Sequence, residues 1–252
     1  MYLLLRGRHM KGIIYIAHGS KMPDKNQLFR EFVDNIISKR PETVQQLAFL
    51  EKDDENVPII TRRMVEAGVT EFLVMPMLLF PAMHAREDIP AQLNDVLKDD
   101  PHITYHIADC FGDEPSVYKV CERIISGFKD ATILITAHGN KRFTEPDERL
   151  TKMVEVMQQK SGQNLVPAML YGNLSFEEKL KTMDKQDKII IMPYFLFDGH
   201  LVRKIKRLSQ PFIEAGYDIS FTETLDLDFA MTQGVLNKLA QLEEDAYVSS
   251  HA

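Results

Sequence analysis

The chain has 252 residues, of which 44% are hydrophobic and 27% charged, with a formal net charge of −7. These values exclude disordered and fibrous classes and leave room for one large domain or two of roughly 120 residues. The acidic balance argues against a nucleic-acid partner, and the absence of any run of 18 apolar residues argues against a membrane-spanning helix.

Residues 1–9 lack the apolar core of a signal peptide and read as a non-native or disordered extension before Met10. The apolar run at 12–17 then reads as a strand ending in Ala17-His18-Gly19. Further strands are expected at 44–50, 71–77 and 103–107, with amphipathic helices between them, such as 27–39. From 131 the pattern repeats. Strands are expected at 131–137, 165–170, 188–194 and 217–222, the first ending in Ala137-His138-Gly139, and a last helix is expected at about 228–244 with a frayed polar tail. The stretch 74–80 (VMPMLLF) corresponds to 191–197 (IMPYFLF), and a histidine follows each, His84 and His200.

Strands alternating with helices predict α/β architecture: two similar doubly wound domains related by duplication, each a four-stranded parallel sheet with helices on both faces. The boundaries are expected at 10–128 and 129–252, with a cleft between the domains as the binding site. The two cysteines, Cys110 and Cys121, form no CxxC pair and no disulfide framework, which fits a reducing cytosol. One chain with two thiols cannot hold an iron–sulfur cluster alone. We expect a monomer.

In the common strand order 2-1-3-4, strands one and three are neighbours whose carboxyl ends open a crevice. His18 ends strand one, Glu51 ends strand two and His84 follows strand three, so three strand ends deliver His, Glu and His to one rim. A lone strand-end histidine is often only a polar turn residue, and Glu51 lies in a solvated acidic stretch, EKDDE. The duplication of the histidine pair favours function over that bland reading. Gly19 permits a tight turn and close ligand approach. Ser20 offers a hydroxyl beside a helix N-terminus that favours anions. The basic run Arg203, Lys204, Lys206 and Arg207 reads as a solvated helix face.

The stretches IAHGSK, LAFLE and MPMLLFPAMHAREDIP, in that order and spacing, resemble the sirohydrochlorin chelatases, the ATP-independent ferro- and cobaltochelatases. The resemblance covers nearly the whole chain. It implies a bilobal fold without an organic cofactor, acting on sirohydrochlorin and a divalent metal, Fe²⁺ or Co²⁺. It implies that His18 and His84 handle the metal with Glu51 as acidic partner. Imidazole and carboxylate together suit such borderline metals and can accept the two pyrrole protons that insertion releases. For the tetrapyrrole, Gly19, Ser20, Met83, Arg86, His138 and His200 are expected contacts. Lys21, Lys25, Lys141 and Arg142 are further candidates for its carboxylates. Met75, Met77, Leu78, Leu79 and Phe80, before Pro81, read chiefly as core.

The second half departs from the pattern. Tyr171 or Gly172 stands where the first half has Glu51, and HAREDIP becomes HLVRKI. The first half is therefore expected to carry the chemistry. Two rival readings remain: a histidine phosphotransfer enzyme, weakened by Ala17 and Ala137 where a phosphate-clamping arginine would stand, and a non-catalytic metal or tetrapyrrole carrier on the same fold.

Overall fold

The structure is a computed structural model that describes residues 10–52 and 54–251. The expected extension, residues 1–9, lies outside the described residues. Among them the first sheet contains β1 (Lys11–Ala17), β2 (Gln45–Phe49), β3 (Glu71–Pro76) and β4 (Thr104–Ile107), all parallel, in the order β2-β1-β3-β4. The second sheet repeats this with β5 (Thr132–Ala137), β6 (Asn164–Met169), β7 (Lys188–Pro193) and β8 (Asp218–Phe221), in the order β6-β5-β7-β8. The expected strand positions and the α/β class hold in both halves.

The inner strands are apolar without alternation because helices cover both faces of a parallel sheet. Ile13 to Ala17 and Phe72 to Met75 are fully buried. Each Ile, Leu, Val, Phe or Met among them contributes roughly 1.5–3 kcal/mol by leaving water. The helices are α1 (Pro23–Ile37), α2 (Val57–Glu66), α3 (Ile89–Leu97), α4 (Pro115–Ile125), α5 (Glu145–Ser161), α6 (Phe176–Lys181), α7 (His200–Glu214) and α8 (Thr232–His251). Five of them, α1 to α5, carry Pro in their first turn, and at α1, α2, α4 and α5 the missing N–H costs no hydrogen bond. Asn56 caps α2, its side chain accepting from Ile59 N at 2.9 Å.

The compact units do not divide at 128/129, the boundary of the sequence repeat. Among the described residues, one contains those from 10 to 111 together with 232–251, and the other runs Gly112–Met231. The fourth helix of each repeat is thus exchanged. Helix α4 buries Val117, Val120, Cys121 and Ile125 within the second unit, where Gln163 Nε2 donates to Ile125 O at 3.0 Å and Arg123 pairs with Asp228. Helix α8 belongs to the first unit, where Arg40 pairs with Glu243 at 2.9 Å and Thr232 Oγ1 bonds Asn35 Oδ1 at 3.1 Å. An amphipathic pattern shows that a helix face is buried, not what buries it. Helix α8 also continues to His251, past the frayed end expected near 244.

Candidate active site at the strand ends of the first sheet

Past the end of β1 the chain must turn sharply, and Gly19 does so at φ +91°, where a Cβ would meet Phe49 Cβ at 3.3 Å. The β1–β2 ladder then runs beyond both strands. Leu50 N donates to Ala17 O at 2.9 Å, and Glu51 N donates to His18 O at 3.0 Å. This fixes Glu51 beside His18, with His18 Nε2 3.6 Å from Glu51 Oε1. Beyond β3, Met77 N donates to Ile16 O at 2.8 Å before the chain reaches His84. The rings of His18 and His84 pack edge to face, with centroids 4.7 Å apart and planes at 88°. The structure therefore brings His18, Glu51 and His84 together, and all three remain solvent-accessible at 41%, 60% and 34% of the side chain.

His84 opens a π-helical turn, His84–Asp88, closed by Ile89 N–H to His84 O. Pro90 follows and has no N–H to give Arg86 O, so an ordinary α turn cannot complete there. The turn sets His84 Nδ1 2.6 Å from Asp88 Oδ2. A carboxylate only accepts, so Nδ1 carries a proton, and in the neutral ring the lone pair then lies on Nε2. At His18, Nδ1 faces Gly19 O at 3.3 Å, which favours the same tautomer. Both histidines thereby offer Nε2 as a base or ligand. Two acceptors 3.6 Å apart, His18 Nε2 and Glu51 Oε1, are too far apart for a hydrogen bond and can both face a cation placed between them. Among the described residues no three His, Cys, Asp or Glu side chains already form a metal-holding group. The donors are neighbours, not a finished cage.

Sequence reasoning missed two supporting groups, Asn26 and Glu55, and read Asp88 only as a charge that attracts the metal. Asn26, buried on α1, clasps the His-Gly-Ser loop: it accepts from Ser20 N and donates to Ser20 O, both at 2.8 Å. Asp88 stood inside the HAREDIP stretch, but its role as partner of His84 depends on the π turn. Glu55 braces the loop after Glu51 through Arg30 and through Lys52 at 2.6 Å. The Arg30 guanidinium holds the Glu55 carboxyl below the usual carboxylate range. Of the expected substrate contacts, Met83 is 42% exposed and Arg86 is exposed. Ser20 Oγ accepts from Met22 N at 3.1 Å and shapes the loop. Lys21, Lys141 and Arg142 are exposed, whereas Lys25 is half-buried. Met75 and Met77 are fully buried, as core residues.

The second sheet repeats the frame with other chemistry. Leu170 N donates to Ala137 O at 2.8 Å and Tyr171 N to His138 O at 2.9 Å, the same pair of bonds as in the first sheet. Tyr171, not Gly172, is therefore the counterpart of Glu51. Lys204 stands four residues after His200, as Asp88 does after His84. A cavity of about 670 Å³, lined by Lys129, Asp130, Asn164 and Lys188 among others, lies at the amino ends of β5 to β7. It is at the opposite end of that sheet from His138, and sites on parallel sheets form at the carboxyl ends. No helix among the described residues is long and apolar enough to cross a membrane.

A family model described as CbiX matches residues 12–127 and again 132–242, one match for each repeat. A sirohydrochlorin cobaltochelatase from Priestia megaterium is 24% identical, over 85% of this chain and 74% of its own length. A sirohydrochlorin ferrochelatase from Bacillus subtilis (strain 168) is 26% identical, over 78% of both chains. In fold, the chain is similar to a solved structure, SirB from Bacillus subtilis with Fe³⁺, at a TM-score of 0.81 and 21% identity, covering 92% of this chain and 95% of that one.

Proposed function

The chain belongs to the CbiX family, and on that premise we propose that it is a sirohydrochlorin chelatase, a lyase that inserts Fe²⁺ into sirohydrochlorin without ATP or an organic cofactor. The observation that carries this reading is the edge-to-face pair His18 and His84, with Glu51 at His18 Nε2 and Asp88 at His84 Nδ1.

Insertion exchanges two pyrrole N–H protons for one divalent cation, so the site must both hold a metal loosely and accept protons. Imidazole nitrogen and carboxylate oxygen suit a borderline metal. Their metal bonds are about 2.0–2.2 Å long, and the 3.6 Å between His18 Nε2 and Glu51 Oε1 leaves room for such an ion between them. Asp88 fixes the tautomer and ring orientation of His84, as carboxylates beside ligating histidines do. When the metal passes to the macrocycle, Glu51 and the freed Nε2 atoms are placed to take the protons. An open set of exposed donors releases its metal, which a closed thiolate cage would not.

Co²⁺ is the second reading for the metal, since the same donors accept it and the P. megaterium relative is a cobaltochelatase. The test is an absorbance assay with purified protein, sirohydrochlorin and Fe²⁺, Co²⁺ or Ni²⁺ in turn. Catalytic turnover above the spontaneous rate, fastest with Fe²⁺, is the expected result. Stoichiometric binding without turnover would make the protein a carrier instead.

A further inference from the structure

The two repeats share a frame but not a charge. Around the first histidine pair stand two carboxylates, Glu51 and Asp88. At the equivalent places around the second pair stand Tyr171 and Lys204. For Tyr171 the equivalence is geometric, because Tyr171 N donates to His138 O as Glu51 N donates to His18 O, and for Lys204 it is positional, four residues after His200. Lys204 Nζ donates to Tyr171 Oη at 2.8 Å and sits 4.4 Å from the centre of its ring. The Tyr171 ring in turn lies 5.2 Å from that of His138. His138 Nδ1 is 2.7 Å from Gly139 O, the turn that His18 makes in the first repeat.

Two features of this cluster point to an anion. The Tyr171 oxygen accepts from Lys204, so the phenolic proton remains to be donated elsewhere, and the ammonium keeps two further N–H groups. Lys204 also lies in the opening turns of α7, with Arg203, Lys206 and Arg207, and that helix has no acidic residue in its first turn. Cations there oppose the helix dipole, which favours negative charge at this end. Arg203, Lys206 and Arg207 are exposed and fit a solvated face, but Lys204 is half-buried and tied to Tyr171. No carboxylate pairs with Lys204 among the described residues.

We propose that Tyr171 and Lys204, with His138 beside them and His200 four residues before Lys204 on α7, form an anion site that takes a carboxylate. The duplicated cation site has become its electrostatic opposite. The carboxylate is a side chain of the tetrapyrrole, which rests on the function proposed above, or it is a free polycarboxylate. Its two oxygens match the paired donors, ammonium and phenol.

The test measures the affinity of the full chain for metal-free sirohydrochlorin and, separately, for citrate. Wild type is compared with Lys204→Met and Tyr171→Phe, with circular dichroism to verify folding. A site for the substrate's carboxylate predicts about tenfold weaker sirohydrochlorin binding in Lys204→Met, a smaller loss in Tyr171→Phe, and an unchanged affinity for Co²⁺ alone. If wild type does not bind sirohydrochlorin, the functional reading falls, yet citrate binding lost in Lys204→Met still upholds the anion site. Folded variants that bind both probes as wild type does would overturn it. So would a wild type that binds neither.

Discussion

His84 and Asp88 form a directed pair: Nδ1 of the histidine donates to Oδ2 of the aspartate over 2.6 Å, across a single π-helical turn. The pair makes Asp88 a positioning residue. It fixes which nitrogen of His84 carries the proton and so which one faces a ligand. Asp88→Asn offers an amide that can present either oxygen or nitrogen to the ring. We expect metal affinity to fall roughly 10–100-fold, with the fold intact. The ¹⁵N shifts of His84 should also change from a single Nδ1-protonated tautomer to a mixture, which a purely structural role would not cause.

The π turn itself is testable through Pro90. In Pro90→Ala, residue 90 regains an N–H that can donate to Arg86 O, and the turn can tighten into an ordinary helix. His84 would then rotate away from its place beside His18. The expected outcome is metal binding weaker by about tenfold with no loss of thermal stability. Unchanged metal affinity, measured by calorimetric titration, would mean the π turn does not position His84.

Much of this was legible in the residues. The doubled Ala-His-Gly and Met-Pro stretches give the two sheets, their parallel order and the rim on which His18, Glu51 and His84 meet. Three things are hidden from periodicity. The exchange of α4 and α8 depends on which surface buries an amphipathic face. The His84–Asp88 bond depends on a π turn that only Pro90 hints at. Asn26 reads as an ordinary polar residue in α1, yet it holds the loop that carries His18.

Glu51 faces His18 Nε2 and is expected to take a proton or share the metal. Glu51→Gln keeps the size of the side chain and removes its charge and basicity. The rate of insertion should fall by about 10²-fold, within the range for losing a general base. Thermal stability should be unchanged, because the side chain is 60% exposed. Steady-state kinetics beside a melting curve checks both.

The loop after Glu51 gives a pH-dependent prediction. Glu55 bonds Arg30 and Lys52, and its carboxyl titrates below the usual range. A depressed carboxyl stabilises the fold fully above its unfolded pKa, about 4.3, and the contribution is lost as pH falls through the lower folded value. Glu55→Gln should therefore be less stable than wild type by about 0.5–1 kcal/mol at pH 7, a modest figure because the pair is partly exposed. The gap should shrink progressively as pH falls below about 4.3. Urea midpoints at pH 7 and pH 3.5 measure it.

On the proposed function, the first repeat carries the insertion chemistry, while the second binds. The most direct measurement is the metal-insertion kinetics of His18→Ala against His138→Ala, in proteins verified as folded. The account predicts that His18→Ala lowers kcat by at least about 10²-fold, whereas His138→Ala chiefly raises KM for sirohydrochlorin. Equal losses of kcat from the two substitutions would contradict it, and would place the chemistry on both strand ends or on the second.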